Sequence, residues 1–197
     1  MLIPVANLDA LRPLQALPVV AIDLGFSRDQ RSCGFAFREP ESTSIKSTNL
    51  RYQECVKTTA ETLRAFAQSV LIIEAPLSGA FDAKGNPQSR GAFEGAPKPR
   101  WWSLRAGAAM ALAAQYFLRD FCKLASTNSK YFLIEGFVSG VDSGNHIDVA
   151  ERLLGALDSA KGASWQQPQG ASLTSIVDWI QPGTAHPSPI VLIPISL

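Results

Sequence analysis

Between Val56 and Glu74 the chain reads VKTTAETLRAFAQSVLIIE. Val56, Ala60, Leu63 and Ala67 recur at intervals of four, three and four, which lays one apolar stripe along a helix. Val70-Leu71-Ile72-Ile73 follows almost at once as an unbroken apolar run, the pattern of a strand buried on both faces. A helix that leads directly into such a strand is the alternation of an α/β sheet covered by helices.

The same grammar extends in both directions. Upstream, Val19-Val20-Ala21-Ile22 is a buried strand, Gly25 to Gln30 is turn-rich, and Cys33-Gly34-Phe35-Ala36-Phe37 returns antiparallel to the first strand. Ser42 to Thr48 supplies a third strand and completes a meander. Downstream, residues 75–100 break the pattern with repeated Gly and Pro, a basic insertion too long for an ordinary connection. Residues 101–125 are helical, with Met110, Ala114, Phe117, Phe121 and Leu124 on the buried face. Tyr131-Phe132-Leu133-Ile134 is the next strand. A polar loop over residues 139–145 then leads into a helix over residues 146–161, capped by Ser143 or Asn145, with Ile147, Ala150, Leu154 and Leu157 inward. From about residue 162 the chain is an extension whose apolar segments, Leu173 to Ile180 and Ile190 to Ile195, have no assigned type. Neither an internal repeat nor a second domain boundary is evident, so residues 1–197 are expected to form a single α/β domain built on a mixed sheet.

Composition bounds the function. With 46% hydrophobic and 18% charged residues, the chain does not fit general disorder. The formal charge of +1 argues against a uniformly basic nucleic-acid coat, but it conceals a local imbalance. Residues 75–105 hold five basic side chains against two acidic ones, residues 1–74 are balanced at eight each, and residues 106–197 hold five against seven. Cys33, Cys55 and Cys122 are scattered without metal-site spacing or a disulfide framework. Asp9, Arg12, Pro13 and Pro18 interrupt any secretory core, and no run approaches a membrane span, so a cytoplasmic setting is expected.

Three predicted strands end alike: VVAI in Asp23, VLII in Glu74 and YFLI in Glu135. Ligands of open α/β sheets bind beyond the carboxyl ends of the strands. Acids gathered there repel one another and require a cation, and hard oxygen donors suit Mg²⁺ or Mn²⁺. Each acid alone is more ordinarily a turn former or cap. Glu74 fits that role least, because Glu is a poor capping residue and Ala75-Pro76 follows it. Asp148, near the start of the last predicted helix, is a fourth candidate; its ordinary role would be to favour the helix dipole, with Arg152 at i+4. His146 is placed either to assist a phosphate or leaving group or to serve structurally, and Asp142 is expected to be a turn residue.

The order strand-Asp, two strands, helix, strand-Glu, helix, strand, helix-Asp resembles the RNase H-like superfamily. More narrowly, Ala21-Ile22-Asp23-Leu24-Gly25, Ile72-Ile73-Glu74-Ala75-Pro76-Leu77 and His146-Ile147-Asp148-Val149-Ala150 resemble the RuvC-type resolvase branch and a predicted nuclease family of unknown function. The likeness covers residues 18–160, and its specificity lies in motif order and spacing. It implies a metal-dependent nuclease, a hydrolase of phosphodiester bonds using two Mg²⁺ or Mn²⁺ ions about 3.5–4 Å apart. On that likeness Asp23 bridges both ions, Glu74 and Asp148 hold one each, and Glu135 supplements them; not every member of the superfamily carries a ligand at the last of these positions.

Lys84, Arg90, Lys98, Arg100 and Arg105 are interleaved with Phe81, Phe93, Trp101 and Trp102, a pattern suited to a phosphate backbone and stacked bases; Arg28 and Arg31 add candidate phosphate contacts. The alternative is a solvated basic loop whose tryptophans anchor the next helix. The nucleic acid, DNA or RNA, is not specified, nor is a homo-oligomer or protein partner. A non-catalytic interaction module, or a subunit needing a partner, is the main competing reading. Asp23-Leu24-Gly25 also resembles the first phosphate loop of actin-like ATPases and sugar kinases, but those need two related domains and a second such loop. With only two histidines, His146 and His186, a Ser- or Cys-based hydrolase is poorly supported.

Overall fold

The computed structural model describes residues 1–7, 9–10, 12–25, 30–90, 102–103, 106–138, 145–158, 163–166, 172–183 and 185–194. In chain order the elements are β1 (Leu2–Pro4), a 3₁₀ turn (Arg12–Ala16), β2 (Val19–Asp23), β3 (Cys33–Arg38), β4 (Ile45–Leu50), α1 (Tyr52–Arg64), β5 (Gln68–Glu74), β6 (Ser78–Phe81), α2 (Ala106–Leu124), β7 (Lys130–Gly136), α3 (His146–Asp158), β8 (Ala163–Gln166), β9 (Ser172–Ser175), α4 (Ile176–Ile180) and β10 (Val191–Pro194). None of the described helices is long and apolar enough to cross a membrane.

The main sheet runs β4-β3-β2-β5-β7-β10-β8, with β1 also paired to β7. The β2-β3-β4 meander is antiparallel, whereas β5 and β7 continue from β2 in parallel. This is an α/β fold with a mixed sheet flanked by helices. Strand alternation divides its side chains between two cores. Val20, Ile22, Leu71, Ile73 and Leu133 face α1 and α2, meeting Val56, Ala60, Leu63, Ala114, Phe117 and Phe121. Val19, Ala21, Val70, Ile72 and Ile134 face the other way and meet Val149, Ala150, Leu153, Leu154 and Leu157 of α3. The apolar runs are continuous because β2 and β5 are covered on both faces.

Several boundaries differ from the sequence expectation. The third meander strand is Ile45–Leu50 rather than Ser42 to Thr48, and α1 stops at Arg64, which leaves Ala67 exposed ahead of β5. Leu124 is exposed at the end of α2. The C-terminal segment is no appendage: β10 lies parallel beside β7 and β8 pairs antiparallel with β10. The 75–100 insertion also contains structure, since β6 pairs antiparallel with β9 to form a two-stranded ribbon.

Candidate functional site

One row of residues across the sheet defines the site. Asp23 stands opposite Glu74 in the parallel β2–β5 pair, and Glu74 stands opposite Gly136 on β7. On the other side Asp23 stands opposite Gly34, and Gly34 opposite Asn49. Residues in one row project to the same face, here the face of Ala21 and Ile72 beneath α3. Neighbouring strands are about 4.8 Å apart, so the two carboxylates leave adjacent strand ends side by side.

The two glycines in this row bring α3 down onto the sheet. A Cβ on Gly34 would lie 1.9 Å from the carbonyl oxygen of His146, and one on Gly136 would lie 2.7 Å from Leu153 Cδ1. Only a residue without a side chain lets the first turn of the helix sit directly above β3. As a result His146 Nδ1 lies 2.7 Å from Asp23 Oδ2. The two groups share one proton across this contact. Asp23 is buried apart from 6% of its surface, whereas the His146 side chain is 39% exposed.

Asn145 caps α3 with its side-chain oxygen on the Ile147 N–H at 3.2 Å. That oxygen also accepts from Asn49 Nδ2 at 3.2 Å, which ties the cap to the β4 member of the row. Asp148 lies in the first turn of the helix, exposed, with Oδ1 accepting from Asn145 Nδ2 at 3.3 Å. Ser143, Asp142, Arg28, Phe93, Lys98, Arg100, Trp101 and Arg105 lie outside the described residues.

Glu135 is not brought to the pair. It stands opposite Ile73, one residue out of step with Glu74, and therefore projects to the opposite face. There it is 1% exposed and forms a two-pronged ion pair with Arg90, at 2.8 Å from Nη1 and 2.7 Å from Nη2. This corrects two expectations. Glu135 is committed to a cation of the chain itself, and Arg90, also 1% exposed, has no surface to offer a phosphate. Trp102 is likewise 9% exposed, donates its indole N–H to Gln88 O at 3.0 Å and meets Phe81 edge to face, so it anchors the ribbon rather than presenting a stacking platform. Lys84 is exposed in a tight turn organised by Asp82, and Arg31 is 63% exposed with Glu54 at 3.9 Å.

Two carboxylates at adjacent strand ends suit a hydrated Mg²⁺, which commonly takes one or two protein carboxylates and fills its shell with water and substrate phosphate. Among the described residues no three His, Cys, Asp or Glu side chains converge on a metal-holding arrangement. The described donors therefore form no closed protein cage, and a cation at this pair would need water or substrate to complete its shell. Gly34, Gly136 and Asn49 are the site residues that sequence reasoning missed; a glycine inside a strand was the available signal for close backbone approach. Comparison with protein-family models, with curated proteins and with solved structures finds no match.

Proposed function

We propose that the chain is an RNase H-like, metal-dependent nuclease that hydrolyses phosphodiester bonds at the Asp23–Glu74 pair. The observation that carries the reading is the register itself: Asp23 opposite Glu74 at the carboxyl ends of two parallel strands. Further support comes from the element order (meander, helix, strand, helix, strand, helix), on which the family resemblance rests. A bound Mg²⁺ or Mn²⁺ supplies Lewis acidity toward a phosphoryl oxygen and an activated water.

The chain's own groups have separable tasks in this proposal. Asp23 and Glu74 hold the cation. Asp148, on the exposed first turn of α3, is the next carboxylate available to a second cation on the same side of the sheet. His146 orients Asp23 through Nδ1, and its partly exposed ring is placed to assist a phosphate or leaving group. The positive end of the α3 dipole favours an anion nearby, although the Ile147 and Asp148 N–H groups are already bonded to Asn145. Glu135 has no part in metal binding. Incubation with single-stranded, duplex and branched DNA and with RNA, in Mg²⁺ or Mn²⁺, should give cleavage that Asp23→Asn abolishes; undiminished cleavage by that variant would contradict the assignment.

One observation favours a non-catalytic interaction module instead: no third metal-ligating group joins the pair among the described residues. Metal distinguishes the two readings, because a working site is stabilised by a cation that binds only the folded chain. Mn²⁺ should raise the thermal midpoint of the wild type and not that of Asp23→Asn; a wild type insensitive to Mn²⁺ supports the module.

A further inference from the structure

The chain turns sharply immediately after Glu74. Ala75 N–H donates to Ile73 O at 2.9 Å, a three-residue turn with Glu74 at its apex. The segment beyond this turn is held from the far side of the sheet. Leu77 N–H donates to Glu135 Oε2 at 2.7 Å. Arg90 Nη1 donates to Ser78 O at 3.1 Å and to Ser78 Oγ at 2.9 Å, while the same guanidinium grips Glu135. The Glu135 carboxylate thus binds the segment just beyond Glu74 both directly and through Arg90. It does so from a position opposite Ile73, one residue behind the carboxylate row.

Stability alone gives little reason for a buried charge pair here. The surrounding face is apolar, built from Ile22, Ile73, Leu77 and Leu133. Replacing a buried ion pair by apolar residues of similar size is often neutral or stabilising. An apolar pair would, however, leave the Leu77 N–H and the Ser78 carbonyl without these directional partners, and the exit angle of the chain after Glu74 would no longer be fixed.

We infer that Glu135 and Arg90 are a positioning pair: they fix the Ala75–Ser78 turn, and through it the bearing of the Glu74 carboxylate beside Asp23. This inference rests on the cation reading of Asp23 and Glu74. Groups that orient metal ligands from behind typically contribute about 10- to 100-fold in metal affinity.

The test uses the intact chain and Mn²⁺ alone, with bound ion counted by electron paramagnetic resonance and thermal unfolding followed without metal. The double variant Arg90→Met/Glu135→Leu should stay folded, with a midpoint lowered only by the lost partners of the Leu77 N–H and the Ser78 carbonyl, yet bind Mn²⁺ about 10- to 100-fold more weakly. Arg90→Lys, which keeps the charge but loses the fork, should fall between them. A folded double variant with wild-type Mn²⁺ affinity overturns the inference. Should the double variant not fold, Glu135→Gln decides by the same measurement, weaker binding supporting the pair and unchanged binding overturning it. A wild type that binds no Mn²⁺ overturns the cation reading itself, and the positioning role with it.

Discussion

Glu135 and Glu74 close neighbouring parallel strands, yet their side chains leave opposite faces of the sheet, because Glu135 stands opposite Ile73 and Glu74 opposite Gly136. One residue of register separates a half-buried acid beside Asp23 from a buried acid bound to Arg90.

The two glutamates should therefore answer mutation differently. Glu135→Leu alone strands the Arg90 cation in the core and should cost about 3–5 kcal/mol. Glu74→Gln keeps the size and shape of a half-buried side chain and should cost about 1 kcal/mol or less. Urea denaturation of both variants checks the contrast; equal losses would contradict it.

Gly34→Ala should lift the start of α3, since its Cβ would meet the His146 carbonyl at 1.9 Å, a backbone atom that cannot swing aside. The expected cost is about 1–3 kcal/mol. Gly136→Ala should cost less, because its Cβ would meet only the flexible end of Leu153. Denaturation midpoints, together with the His146 ring resonances that report its contact with Asp23, measure both effects.

His146→Ala removes the 2.7 Å contact to Asp23 while leaving the carboxylate in place. If His146 orients Asp23, kcat should fall about 10- to 100-fold with KM little changed. A variant whose only change is a higher KM would instead assign His146 to substrate binding.

A pH signature sits next to Gly34 in the chain, in the core on the opposite face of the sheet. A hydrogen bond with Cys55 lowers the Cys33 thiol from 9.0 to about 7, outweighing its burial, whereas the same bond and burial raise Cys55. A thiolate that forms more readily in the folded chain than in the unfolded one adds stability as pH rises from about 7 toward 9; Cys55, raised, opposes this above that range. In Cys55→Ala the largest lowering influence on Cys33 is lost, while burial, the Gly25 carbonyl contact and the charges of His146 and Asp23 remain, so its ultraviolet thiolate signal should move up from about 7. A signal that stays near 7 would contradict the pairing.

Much of the layout was legible in the residues. The unbroken apolar runs ending in Asp23 and Glu74 gave two central strands and their order, because strands covered on both faces have no polar side to blur them. The short strands were not legible. β6, β8, β9 and β10 have four residues each, too few for a period to emerge, and their pairing partners lie far along the chain. The likeness of Glu135 to Glu74 misled for a related reason. A strand of alternating exposure would have shown which face each acid took, but in β7 both faces near Glu135 are buried. Arg90, assigned from its neighbours to a basic loop, proved to be the partner of Glu135 through a contact spanning 45 residues. Such a contact leaves no local trace in the sequence.

The most direct measurement is anomalous diffraction from crystals of the protein soaked in Mn²⁺. The expected result is an ion bound between the carboxylates of Asp23 and Glu74, beneath the start of α3, with none at Glu135. An empty Asp23–Glu74 pair at saturating Mn²⁺, or an ion held by Glu135 with Arg90 displaced, would contradict the cation reading.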